Sequence, residues 1–221
     1  MQRTRRRITL TLALLFGIGL PVAPPAAAMV ILGGGAVIVV DGGNYCTLTA
    51  IGHDRSGDVV GFTGALCGGP GAPVAVGGSD ATVGAVVAVN GELRYAVIRF
   101  DVPDLLPVSD YAGVVVNDIG ADPMFDSLVC KYGPGTPGIC DRITFDGWPR
   151  MTMFGQFEAG DVGAPVTQGG RLVGLVYGGA ATLGGKYRPS KPLTYFTKFS
   201  AILADVNAGD GPGSGFVPIG S

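Results

Sequence analysis

The chain holds 221 residues, with 15 Lys plus Arg, 17 Asp plus Glu and one His, for a formal net charge of −2. That length is enough for one full hydrophobic core or a two-barrel core, and the acidic balance speaks against nucleic acid or an anionic membrane surface as a partner. Four cysteines with no C-x-x-C spacing and a single histidine, His53, give no zinc motif and imply no metal or other cofactor.

The chain opens with Arg3, Arg5, Arg6 and Arg7, an apolar run from Ile8 to Leu20, and the small residues Ala26, Ala27 and Ala28. This order reads as a secretory signal peptide cleaved after Ala28. The apolar run has 13 residues, too few for the roughly 20 that span a bilayer, so no membrane attachment beyond the signal segment is expected. Thr4-Arg5-Arg6 adds a weak twin-arginine signature. Residues 1–28 carry four of the basic residues and no acidic ones, so their removal leaves 11 against 17 and a net charge of −6. The expected location is secreted or cell envelope, where four cysteines read as two disulfides.

Short apolar runs punctuated by glycine follow, at Val37–Val40, Cys46–Ile51, Val59–Thr63, Val83–Val89, Leu93–Phe100, Val114–Val116, Leu128–Tyr132, Ile139–Phe145, Thr152–Phe157 and Leu172–Tyr177. Their length, residue types and spacing predict an all-β antiparallel barrel or sandwich. The glycines of Leu32–Gly43 precede their strand instead of following one, so they do not form a phosphate loop. Phe199, Ile202, Leu203 and Val206 fall at i, i+3, i+4 and i+7 and predict one helix. The Gly/Pro/Ser-rich tail 209–221 is expected to be flexible. The domain boundaries expected are therefore 1–28, 29–208 and 209–221.

Six segments together resemble the chymotrypsin-like serine proteases, in particular the actinobacterial streptogrisin-related branch. Gly160-Asp161-Val162-Gly163-Ala164-Pro165-Val166, followed by the strand pattern Arg171 to Gly179, is similar to the family's GDSGGPV and LVGIVSGG. Val162 stands where the nucleophilic serine belongs, and an alkyl group has no lone pair to attack a carbonyl. Phe62-Thr63-Gly64-Ala65-Leu66-Cys67 resembles LTAGHC, with Leu66 in place of the general-base histidine. Leu93 to Asp101 resembles DYAVIR, with Arg94 in place of the aspartate that would orient that histidine. The segment Thr49 to Asp54 also holds a histidine, but it puts Asp54 where the bridging cysteine belongs, so His53 reads as a turn residue. Ile31-Leu32-Gly33-Gly34 is similar to the mature amino terminus. The loop between Cys130 and Cys140 is similar to the family's CKxGxxTGxxC hairpin, with Pro137 departing from it.

The resemblance implies two packed antiparallel six-stranded β-barrels with a carboxyl-terminal helix, and disulfides Cys46–Cys67 and Cys130–Cys140. It implies an oxyanion-hole-like backbone at Gly160 and Val162, a buried cation facing Asp161, and an inter-barrel groove along Tyr177, Gly178 and Gly179, with the specificity pocket beginning near Gln156. Tyr177 stands where the family has a small serine, and its ring is expected to fill space left by an unused centre. With all three triad positions replaced, the expected function is a pseudoprotease that binds a peptide or protein partner in this groove. Two alternatives stand beside it. One is a hydrolase using Thr63, Ser79, Ser109 or Thr167 as nucleophile, which would need a base. The other is a structural envelope protein, and fold alone does not separate the readings.

Overall fold

The computed structural model describes residues 29–180 and 191–221. Strand β1 (Val30–Leu32) is followed by β2 (Val37–Val40), β3 (Asn44–Thr47), β4 (Ala50–His53), β5 (Val59–Gly64), β6 (Pro73–Val76), β7 (Thr82–Asn90) and β8 (Tyr95–Phe100). The last seven form an antiparallel sheet in the order β4-β5-β8-β7-β6-β2-β3. Its two ends, β3 and β4, are separated in the chain only by Leu48 and Thr49, so the sheet curls back on itself. Bonds from Leu48 N to Ala36 O and from Thr49 N to Phe62 O span the bend. The side chains of Ile38, Val40, Leu48 and Ile98, none of them solvent-accessible, fill this first barrel. Alternation sets the inward face on β2, whereas β5 and β8 are buried on both faces because the second half of the molecule covers their backs.

Strand β9 (Leu105–Pro107) pairs in parallel with β1, and β10 (Asp110–Tyr111) with β11 (Val114–Val115) forms a small hairpin leading to β12 (Asp118–Ile119). The second barrel contains β13 (Leu128–Lys131), β14 (Ile139–Asp146), β15 (Arg150–Phe154), β16 (Pro165–Gln168), β17 (Arg171–Ala180) and β18 (Leu193–Lys198). Its ring runs β13-β14-β15-β18-β17-β16 and closes through β16 to β13. Helix α1 (Phe199–Val206) follows β18 directly, burying Phe199, Ala201, Ile202 and Val206. The expected two-barrel architecture with one carboxyl-terminal helix is the one observed.

Three differences from the expectation have physical causes. Arg94 lies outside β8, in the turn 91–94, with φ of 62°. Asn90 Oδ1 accepts from the Glu92 and Leu93 N–H groups and sets that turn. Strand β18 was not expected, because the residues Leu193 to Lys198 were passed over in favour of the helical period that begins at Phe199. Finally, the tail 209–221 is not loose. Strand β19 (Val217–Pro218) pairs with β4, and Phe216 lies edge-on to Phe62 at a centroid distance of 4.9 Å. That buried ring supplies the apolar anchor that a glycine-rich composition conceals. The segment 1–28, read as a signal peptide, lies outside the described residues.

Candidate functional site

The segment 158–164 enters the site as a single 3-10 turn, Ala159–Asp161, and is tied to the first barrel by threonines. Thr47 Oγ1 donates to Gly160 O at 2.8 Å and Thr49 Oγ1 donates to Gly163 O at 2.6 Å. Thr47 N donates to Val162 O at 2.8 Å. Gly163 has φ of 88°, and a Cβ there would lie 2.1 Å from Thr47 O, so only glycine fits this approach.

Below the turn, Asp161 and Lys131 form an ion pair at 2.7 Å with both side chains fully buried. Thr136 Oγ1 donates to Asp161 Oδ2 at 2.5 Å, the Glu158 N–H donates to the same oxygen at 3.0 Å, and the Gly135 N–H reaches Oδ1 at 3.2 Å. The Lys131 ammonium also bonds Thr136 Oγ1 and Gln156 O. Burial alone would raise the Asp161 pKa, but the bonds from Lys131, Thr136 and the Glu158 N–H outweigh it and hold the carboxyl below its ordinary range. Burial lowers the Lys131 pKa, and Asp161 and Glu158 oppose that shift. Asp161 was expected to face a buried cation, and Lys131 is that cation. The sequence left it unnamed because a lysine next to a cysteine in a hairpin reads as a surface residue.

The positions singled out for the triad separate into two places. Leu66, 68% exposed, and Val162, 8% exposed, line one cleft of about 410 Å³ together with Gly43, Asn44, Tyr45, Cys46, Ala159 and Gly160. Val162 packs with the core of the first barrel, and a Cβ on Gly64 would lie 2.3 Å from Val162 Cγ1. Arg94 reaches this neighbourhood through its backbone, its carbonyl accepting from Ala65 N at 3.0 Å, while its side chain is exposed. The Val162 N–H, expected to be open for an oxyanion, instead donates to Ala159 O at 3.3 Å, because the 3-10 turn closes on itself. Tyr177 does not line the cleft. It is half-buried, with its ring centroid 6.2 Å from that of Tyr195 and the Arg150 guanidinium 6.0 Å above it. The space beside Gly64 is taken by Val162 itself.

Both expected disulfides are present, Cys46–Cys67 and Cys130–Cys140. Two of the alternative nucleophiles are withdrawn from solvent. Thr63 is fully buried and donates to Thr47 O at 2.8 Å, and Thr167 is 3% exposed. His53 sits at the end of β4, paired with Val59 and Val217, with Nδ1 3.4 Å from Gly57 O. Among the described residues no group of three or more His, Cys, Asp or Glu side chains is placed to hold a metal ion.

No protein-family model matches the chain, and no curated protein sequence matches it. Solved structures do. A Nocardiopsis protease superposes with a TM-score of 0.65 at 20% identity, covering 80% of this chain and 97% of that one. Thermobifida fusca protease A gives 0.66 at 19% identity over 85% and 99%. A scabies mite inactivated protease paralogue gives 0.52 at 16% identity over 78% and 89%. The fold is that of the chymotrypsin-like serine proteases.

Within this chymotrypsin-like frame, Phe157 follows Gln156, where the specificity pocket was expected to begin, and packs onto Gly179. A Cβ on Gly179 would lie 2.3 Å from Phe157 Cβ and 2.7 Å from Leu193 O, so Gly179 is the floor on which Phe157 rests. Phe157 packs against the cores of both barrels. Phe157 was not among the residues singled out, and the glycine pair Gly178-Gly179 was its only sequence signal.

Proposed function

We propose that this protein is an exported, catalytically inactive serine protease homologue that holds a peptide or protein partner in its inter-barrel groove. The observation that carries the reading is Val162, at the position of the family's nucleophile, packed as an apolar core residue beside an exposed Leu66. Removing triad members from an active enzyme costs about a millionfold in turnover, and one loss is nearly as damaging as three. The closed Val162 N–H removes one donor that would stabilise an oxyanion. Two disulfides support residence in an oxidising compartment outside the cytoplasm. The same fold carries a protein described as an inactivated protease paralogue, which supports a non-catalytic use of this frame.

Binding is favoured by the cleft beside Leu66, Tyr45 and Val162, whose exposed apolar rim suits an extended chain. A structural envelope role is favoured by one observation, the packing of Phe157 onto Gly179 beside Gln156, where the specificity pocket was expected to begin. Incubation of the purified exported protein with a mixed peptide library, read by mass spectrometry, tests the reading. Peptides retained intact on the protein are expected. New cleavage products overturn inactivity, and the absence of any retained peptide favours the structural role.

A further inference from the structure

Two arginines without a carboxylate partner face the seam where the turn 91–94 meets the second barrel. Arg55, Lys131, Arg142, Arg171 and Lys198 each lie within 3.6 Å of an Asp carboxylate. Among the described residues, Arg94, Arg99 and Arg150 form no such ion pair; Arg99 lies out along β8, whereas Arg94 and Arg150 belong to one seam between the barrels. The turn 91–94 docks on the second barrel there. Arg150 Nη2 donates to Glu92 O at 2.7 Å, and Thr197 Oγ1 donates to Leu93 O at 2.8 Å. Arg94 follows directly and is exposed, with φ of 62°, at a position where a long side chain is disfavoured. The Arg150 guanidinium stands over Tyr177, whose ring neighbours that of Tyr195. Arg94 and Arg150 both pull the Tyr177 pKa down against the burial that raises it, so both charges are felt at the ring.

We propose that this seam recognises carboxylate groups of an acidic peptide, with Arg94 and Arg150 as the anion-binding groups above the tyrosine faces of Tyr177 and Tyr195. The inference rests on the reading of the groove as a binding, non-cutting site, and it names the chemistry of the partner. Guanidinium groups present paired N–H donors that match a carboxylate, and the two rings offer apolar surface to the stem that carries it. Neither Glu92 nor Asp205 forms an ion pair with the two arginines. Glu92 uses its backbone oxygen towards Arg150, and the Asp205 carboxylate accepts from Tyr95 and Asn90. The remainder of the chain is net acidic, so long-range repulsion disfavours attachment of an acidic partner away from positive sites such as this seam.

Fluorescence anisotropy with a fluorescein-labelled hexapeptide rich in Glu, its Gln counterpart, and inorganic phosphate as competitor tests the proposal on the purified exported protein. The Glu peptide is expected to bind at least tenfold more tightly than the Gln peptide. Arg94→Asn, which suits the turn backbone, and Arg150→Gln are each expected to weaken it by about tenfold. Arg150→Lys, which keeps the charge without the fork, should fall between. Unchanged thermal unfolding of Arg94→Asn shows that its loss is not a loss of fold. Equal binding of the two peptides, or variants that bind as the natural protein does, overturns the inference. Complete displacement by phosphate at the peptide's own concentration also overturns it, since the seam then reads any oxyanion. Cleavage of the bound peptide overturns inactivity while leaving the arginine result standing. Absence of both binding and cleavage overturns only the proposal of an acidic partner.

Discussion

Asp161 and Val162 are adjacent in the chain, yet they sit in opposite surroundings, one in a buried polar network and the other in an apolar core beside a cleft. Beneath the groove, Asp161 keeps a buried partner in Lys131 and further bonds from Thr136 and the Glu158 and Gly135 N–H groups. At the groove surface, Val162 and Leu66 offer only alkyl groups where a nucleophile and a base would act. The difference teaches that the buried scaffold and the reactive surface answer to separate constraints. A buried charge cannot lose its partner without a large penalty, whereas Val162 adds an apolar side chain to the core of the first barrel and leaves no polar group unpaired. On the proposed reading, the frame stands without the chemistry.

The largest effect expected is at the scaffold. Lys131→Ala leaves the Asp161 carboxylate buried and uncompensated and should cost about 3–5 kcal/mol in denaturant unfolding, with the double variant Lys131→Met, Asp161→Leu recovering much of the loss. The same pair sets an acid limit. Because the folded Asp161 pKa lies below its ordinary 3.8, the unfolded chain takes up that proton first. Its contribution is present above that value and lost as pH falls through the folded pKa. Asp161→Asn should flatten this part of the pH profile of unfolding free energy.

Replacing Cys46 and Cys67 by Ala opens a loop with a sequence separation of 21 and should cost about 3 kcal/mol; opening Cys130–Cys140, with a separation of 10, should cost somewhat less. Gly179→Ala drives a methyl into Phe157 and Leu193 O and should cost about 1–3 kcal/mol, an effect relieved by adding Phe157→Ala. If Gly179→Ala is neutral, Phe157 does not rest on Gly179 as described. The smallest change expected is Tyr95→Phe, about 1 kcal/mol, because it removes the 2.5 Å bond to Asp205 that holds α1 against β8. Burial and then Asp205 raise the Tyr95 pKa, so its hydroxyl stays protonated and donating through the physiological range.

Much of the fold was legible because its signals are local. Apolar runs punctuated by glycine marked β2 and β7, the family resemblance implied both bridges, and the spacing from Phe199 to Val206 marked α1. What escaped depends on distant partners. Lys131 looks like a surface lysine until Asp161, thirty residues on, is folded over it. The tail reads as loose until Phe216 meets Phe62 and Phe199. Arg94 was legible as a substitution at a family position, but its left-handed backbone was not, since it follows from the Asn90 side chain capping the turn. Likewise Phe157 gains meaning only from the absent Cβ of Gly179.

Intact-mass measurement after treatment with a fluorophosphonate probe tests the central claim most directly, with the natural protein run beside Leu66→His, Arg94→Asp, Val162→Ser. The account predicts no adduct on the natural protein under conditions that label an active serine protease. A single adduct on it would contradict the account and point to a nucleophile that the buried threonines and Val162 do not provide. Labelling of the triple variant would show in addition that the frame still supports the chemistry once its groups are returned.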